Sequence, residues 1–162
     1  MTEKKKNLDS YIPFQLPSPE KYRIGIVVSE WNDHITDSLL EGARAALQDN
    51  GILKENIIVK HVPGSFELPT GAAHLIQQTP LDGVICIGCI IQGETRHFEF
   101  IAHATAEGIM QLNLSQKVPV IFSVLTCDTM QQAEDRSGGK MGNKGVEGAI
   151  SCLKMIALDH SL

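Results

Sequence analysis

Four short apolar runs recur along the chain, and each gives way to a polar or glycine-containing turn and then to apolar residues at helical spacing. The first, Arg23-Ile24-Gly25-Ile26-Val27-Val28, has no polar face, as expected of a central parallel strand covered on both sides. Ser29-Glu30-Trp31-Asn32-Asp33 follows, and then Ile35, Leu39, Ala43, Ala46 and Leu47 form a stripe that stops at Gly51, with Asn32 or Asp33 placed to cap the helix. The second run spans residues 56–62. A turn and helix start over 63–69 come next, Pro69 being tolerated where a helix has no internal N–H bonds, and Ala72, Ala73, Leu75 and Ile76 continue the helix. The third, residues 84–91, stops at Gly93 before a helical face of Phe98, Ile101, Ala102, Thr105 and Ile109. The fourth, 118–126, leads into a short helix near 129–136, a glycine-rich turn over 137–145, and a last helix using Val146, Ala149, Ile150, Leu153, Ile156 and Ala157.

Strands alternating with helices predict an α/β fold: a three-layer αβα sandwich around a central four-stranded parallel sheet. Residues 1–20 follow another pattern. Lys4-Lys5-Lys6 is a charge run, and Pro13, Pro17 and Pro19 forbid a helix. Tyr11, Ile12, Phe14 and Leu16 are apolar enough for an extended arm lying on a neighbouring subunit. The expected organisation is a partly disordered arm, 1–20, and one domain, 21–162.

Composition narrows the function classes. The 162 residues are 43% hydrophobic and 20% charged, in keeping with a soluble globular domain large enough to bury a core. No apolar run reaches membrane-spanning length and no apolar signal core opens the chain, so the expected location is the cytoplasm, with no membrane partner. A net charge of −5 argues against a nucleic-acid surface, and an anionic substrate would need a local basic group. Cys86-Ile87-Gly88-Cys89 matches CxxC, but side chains three apart in a strand point to opposite faces and cannot share a metal or form a redox pair. With Cys127 and Cys152 isolated, all four cysteines read as reduced small hydrophobes.

The chemistry-bearing residues follow strands. Trp31 sits in the loop after the first, where ligands of open α/β sheets bind, and its indole offers a flat face to a planar heterocycle; core packing is the alternative. Glu67 opens the second helix, where the dipole stabilises it and its carboxylate can accept hydroxyl hydrogen bonds. His97 lies at the start of the third helix, beside free backbone N–H groups that can hold an anion such as phosphate, a placement suited to proton transfer on a phosphorylated substrate. On that stretch alone the simpler reading is a histidine that only hydrogen-bonds locally. The glycine-rich turn is not a nucleotide loop: Gly145 follows Lys144 where a P-loop needs Ser or Thr, no apolar strand immediately precedes it, and no GxGxxG follows a strand.

Four segments together resemble the lumazine synthase family: Val62-Pro63-Gly64-Ser65-Phe66-Glu67-Leu68-Pro69, the stretch from Gly88 through Glu99, Val118-Pro119-Val120-Ile121-Phe122, and Gly142-Asn143-Lys144-Gly145. The resemblance covers roughly residues 23–158 and leaves out the arm. It implies condensation of 5-amino-6-(D-ribitylamino)uracil with 3,4-dihydroxy-2-butanone 4-phosphate to 6,7-dimethyl-8-ribityllumazine, phosphate and water, with no metal and no organic cofactor. It implies that Trp31 stacks on the pyrimidine, that Ser65, Phe66 and Glu67 line the ribityl chain, and that Cys89, Ile90 and Ile91 contact the pyrimidine through backbone. Glu94 and Thr95 would offer N–H groups to the phosphate, His97 would move protons, and Lys144 would play a supporting charge role. Phe122 and Arg136 match positions that reach the site from an adjacent subunit, Phe122 over the ring and Arg136 on the phosphate. The resemblance further implies a homo-oligomer, a pentamer or a sixty-subunit icosahedral shell, with riboflavin synthase as a partner. Two other classes remain as alternatives, a non-catalytic flavin- or lumazine-binding module and a structural shell protein.

Overall fold

The computed structural model describes residues 16–162, and Tyr11, Ile12, Phe14 and the lysine run of the arm lie outside the described residues. Leu16, grouped above with the arm's apolar residues, is buried in this chain's own core. The four apolar runs form strands β1 (Ile24–Ser29), β2 (Ile57–Val62), β3 (Gly83–Ile91) and β4 (Val120–Cys127), all parallel, in the order β2-β1-β3-β4. β1 is buried along its whole length, as its unbroken apolar composition requires of a strand covered on both faces. β4 starts two residues later than the apolar run beginning at Val118, and it continues to Cys127, which pairs with Ile91.

Helices α1 (Asp33–Asp49) and α5 (Lys144–Ser161), with the short α4 (Met130–Arg136), cover one face of the sheet; α2 (Leu68–Gln78) and α3 (His97–Ser115) cover the other. Alternation along β3 sends Ile85, Ile87 and Cys89 into the α1/α5 core and Val84, Cys86 and Ile90 into the α2/α3 core. The CxxC cysteines therefore sit on opposite faces, and all four cysteines are free and buried. α3 covers its side incompletely. Thr105 and Ile109 are buried, while Phe100, Met110 and Leu114 remain in solvent on the same helix.

Two local details differ from expectation. α1 begins after Asn32, but neither side chain caps it in the usual way; Asn32 holds a left-handed backbone conformation, φ 59°, and spends its amide elsewhere. The segment 137–145 is not a single loop: Ser137–Gly139 (β5) pairs antiparallel with Gly142–Asn143 (β6), and α5 begins at Lys144. Asn143 caps α5, its Oδ1 accepting from the Gly145 and Val146 N–H groups at 2.8 and 3.3 Å. Gly145 is packed so tightly on α1 that a Cβ there would lie 1.8 Å from the Leu39 carbonyl oxygen. Packing thus accounts for the Asn143 and Gly145 positions of the glycine-rich motif.

Candidate active site

In the order β2-β1-β3-β4 the chain leaves β1 toward one side of the sheet and resumes on the other, so a crevice opens beyond the carboxyl ends of β1 and β3. A cleft of about 530 Å³ is lined by Trp31 and Asn32 after β1, Gly64 to Glu67 after β2, Cys89 to Ile91 at the end of β3, and His97 and Ile101 of α3.

The loop after β1 is held by an extension of the β1–β2 ladder. Glu30 N–H donates to the Val62 carbonyl at 2.9 Å and Trp31 N–H to the Pro63 carbonyl at 3.2 Å. This sets the indole against Gly64, where a Cβ would stand 3.3 Å from Trp31 Cδ1. Trp31 is 73% exposed and Phe66 55%, so Trp31 is not a core residue. Burying one such ring stabilises by about 1.5–3 kcal/mol, and two rings left open in one cleft mark a surface that something else covers.

Ser65–Glu67 form one turn of 3₁₀ helix ahead of α2. Glu67 Oε2 accepts from the Gly64 N–H at 3.0 Å, which closes the turn. Its Oε1 takes no hydrogen bond among the described residues, leaving one carboxylate oxygen for a ligand hydroxyl. Asn32 is a cleft residue that the sequence reading treated only as a helix cap. Its Nδ2 donates to the Cys89 carbonyl at 3.0 Å and so ties the loop after β1 to the end of β3. The Cys89 thiol is pushed up to about 12, chiefly by burial and further by the nearby Cys127, so it stays protonated at neutral pH. Cys89 can therefore contribute backbone and shape but no thiolate.

His97 is exposed and opens α3. The preceding turn is braced by Gln92 Nε2, which donates to the Gly93 carbonyl at 2.9 Å and reaches the Thr95 carbonyl at 3.4 Å. Glu94 and Thr95 are exposed in that turn, next to a helix start whose first N–H groups have no intrahelical partner. Glu94 and Thr95 thus stand next to His97 in sequence and in this turn, but they are not among the residues lining the cleft.

Phe122, Arg136 and Lys144 do not line this cleft. Phe122, 42% exposed on the edge strand β4, lies in a separate shallow groove with Phe98, Ala102 and Ala106 of α3. Arg136 ends α4, where its Nη1 donates to the Gln132 carbonyl at 3.1 Å and no carboxylate pairs with it among the described residues. Lys144 is paired with Glu147 one turn on. Among the described residues no group of three His, Cys, Asp or Glu side chains is placed to hold a metal ion, and no helix is long and apolar enough to cross a membrane.

Comparison with known proteins adds the family. Residues 21–160 match the family model described as 6,7-dimethyl-8-ribityllumazine synthase. Curated proteins of that name are similar along nearly the full chain. The one from Cytophaga hutchinsonii is 53% identical over 157 residues, covering 97% of this chain and 98% of its own. The one from Porphyromonas gingivalis is 50% identical over 154 residues, covering 95% and 96%. The one from Parabacteroides distasonis is 49% identical over 151 residues, covering 93% and 94%. The chain belongs to the 6,7-dimethyl-8-ribityllumazine synthase family.

Proposed function

We propose that the cleft condenses 5-amino-6-(D-ribitylamino)uracil with 3,4-dihydroxy-2-butanone 4-phosphate to give 6,7-dimethyl-8-ribityllumazine, the penultimate step of riboflavin biosynthesis. The carrying observation is that one cleft, in a chain of this family, gathers two open aromatic faces, a half-free carboxylate and a histidine beside a helix start. Trp31 stacks on the pyrimidine. The backbone at Cys89, Ile90 and Ile91 reads its edge, and Ser65, Phe66 and Glu67 hold the ribityl chain. The backbone N–H groups at Glu94 and Thr95 receive the phosphate, with the Glu94 carboxylate turned away from it.

The arylamine attacks the ketone, and loss of one water gives an imine. Phosphate then leaves by elimination, and closure through the ribitylamino nitrogen expels a second water. Each step moves a proton, and His97 serves as the acid and base. Most of the acceleration comes from holding two reactants in register, so one titratable group and one anion site suffice.

Phe122 and Arg136 complete the cleft of an adjacent subunit, Phe122 closing over the heterocycle and Arg136 pairing with phosphate. Their position outside the chain's own cleft supports this, as do the open side chains of Phe122 and Thr126 on the edge strand β4, which line a groove with Phe98 and Ala102 of α3. The subunits form a pentamer, and the compact β5–β6 hairpin favours twelve pentamers closing into a shell, with riboflavin synthase as its partner. Four free cysteines are in keeping with a cytoplasmic setting. Residues 21–162 form the catalytic domain, and Leu16, buried in its core, belongs with it. Mixing the purified protein with both substrates and following lumazine absorbance tests the activity. Steady appearance of product supports the enzyme, and binding of the pyrimidine without product supports the non-catalytic module.

A further inference from the structure

Two hydroxyls beneath the cleft have no hydrogen-bond partner among the described residues. Ser29 Oγ, at the end of β1, and Ser65 Oγ, in the cleft wall, are both buried without a hydrogen bond, the residues being 0% and 6% exposed. They meet at one place. A Cβ on Gly88 of β3 would lie 2.5 Å from Ser65 Oγ and 3.3 Å from Ser29 Oγ, so the two oxygens converge on the spot that a glycine leaves open. The Ser29 backbone is held there, because its carbonyl accepts from Thr36 Oγ1 of α1 at 3.0 Å. A buried hydroxyl left unpaired is costly, and among the described residues two are unpaired at the crevice between β1 and β3.

We propose that Ser29 is a positioning residue acting through Ser65, the pair forming a hydroxyl relay that recognises a polyol chain. With ligand in the cleft, the Ser29 O–H donates to Ser65 Oγ and the Ser65 O–H donates to a ligand hydroxyl. A hydroxyl donates once and accepts twice, so Ser65 Oγ can accept from Ser29 and still donate to a hydroxyl of the chain, whereas a chain without hydroxyls leaves the Ser65 proton unused. Gly88 makes this possible, since any side chain there would displace Ser65 Oγ. The inference rests on reading the cleft as the ribityl site.

The test compares 6,7-dimethyl-8-ribityllumazine with an analogue whose 8-pentyl chain lacks hydroxyls, binding each to the wild-type protein, Ser29→Ala, Ser65→Ala and the double variant. Ser29→Ala is expected to weaken the ribityl ligand about three- to tenfold, the scale of one neutral hydrogen bond, while the pentyl analogue binds all four proteins alike. The double variant should bind no more weakly than Ser65→Ala, because the two hydroxyls act in series. In turnover the KM for the ribitylamino substrate should rise in Ser29→Ala and that for the butanone phosphate should not. Equal losses for both ligands would show a packing role and overturn the relay, as would unchanged affinity or additive losses. A wild-type protein that binds the ribityl ligand no better than the pentyl analogue would instead overturn the reading of the cleft itself.

Discussion

His97 stands at a helix start with its backbone only loosely held by Thr95 Oγ1 at 3.4 Å, so its side chain can be changed without dismantling the turn. His97→Ala should lower turnover by about 10²-fold, the low end for acid–base catalysis in a facile condensation, while a pyrimidine analogue still binds nearly as in the wild type. An unchanged turnover number would remove His97 from the mechanism. The buried thiols make a second prediction at this scale. Cys86, Cys89 and Cys152 are each pushed up to about 12 by burial, from an ordinary value of 9.0. Above pH 9 the unfolded chain loses these protons and the folded one keeps them. Stability should therefore hold below pH 9 and fall progressively toward pH 12. Urea midpoints measured across that window check this, and a flat profile would contradict it. Trp31, Glu67 and His97 could be found in the sequence because each follows an apolar run. Asn32 could not be found in that way. Its left-handed backbone and its bond to the Cys89 carbonyl, 57 positions away, exist only once β1 and β3 pair.

At the level of elements, β1 and β3 were legible because burial on both faces leaves short unbroken apolar runs bounded by turn residues, while β2, at the sheet edge, is only partly covered. Strand order was not, since the pairing of β1 with both β2 and β3 is a tertiary choice that no local pattern records. The segment 137–145 looked like a loop for a similar reason. Its glycines suggested freedom, whereas Gly145 is fixed by contact with α1. Gly145→Ala should cost about 3 kcal/mol, because the Cβ would meet the Leu39 backbone oxygen, which cannot swing aside as a side chain could. Gly93→Ala, where a Cβ meets nothing within 4 Å, is the control. Chemical denaturation of the two variants should separate them clearly, and equal midpoints would mean that the α1–α5 contact yields easily.

At the scale of the whole molecule, one chain supplies an open cleft on one side and, away from it, Phe122 and an Arg136 with no carboxylate partner among the described residues. Arg136→Ala should raise the KM of the butanone phosphate at least about tenfold, the scale of a lost charge-assisted pair, with little effect on the pyrimidine. Light scattering should find a shell of sixty 17.7 kDa chains, about 1.06 MDa, and a lone five-subunit species at neutral pH would leave only the ring. The most direct test of a condensation site shared between subunits is subunit mixing. His97→Ala and Arg136→Ala chains, each nearly inactive at low butanone phosphate, are unfolded together and reassembled in equal amounts. If His97 of one chain works with Arg136 of its neighbour, random mixing leaves both residues intact in about one quarter of the sites, and lumazine formation should return to about a quarter of the wild-type rate. If each chain builds its whole site alone, no site regains both residues; a mixture no more active than the two variants measured separately would contradict the account.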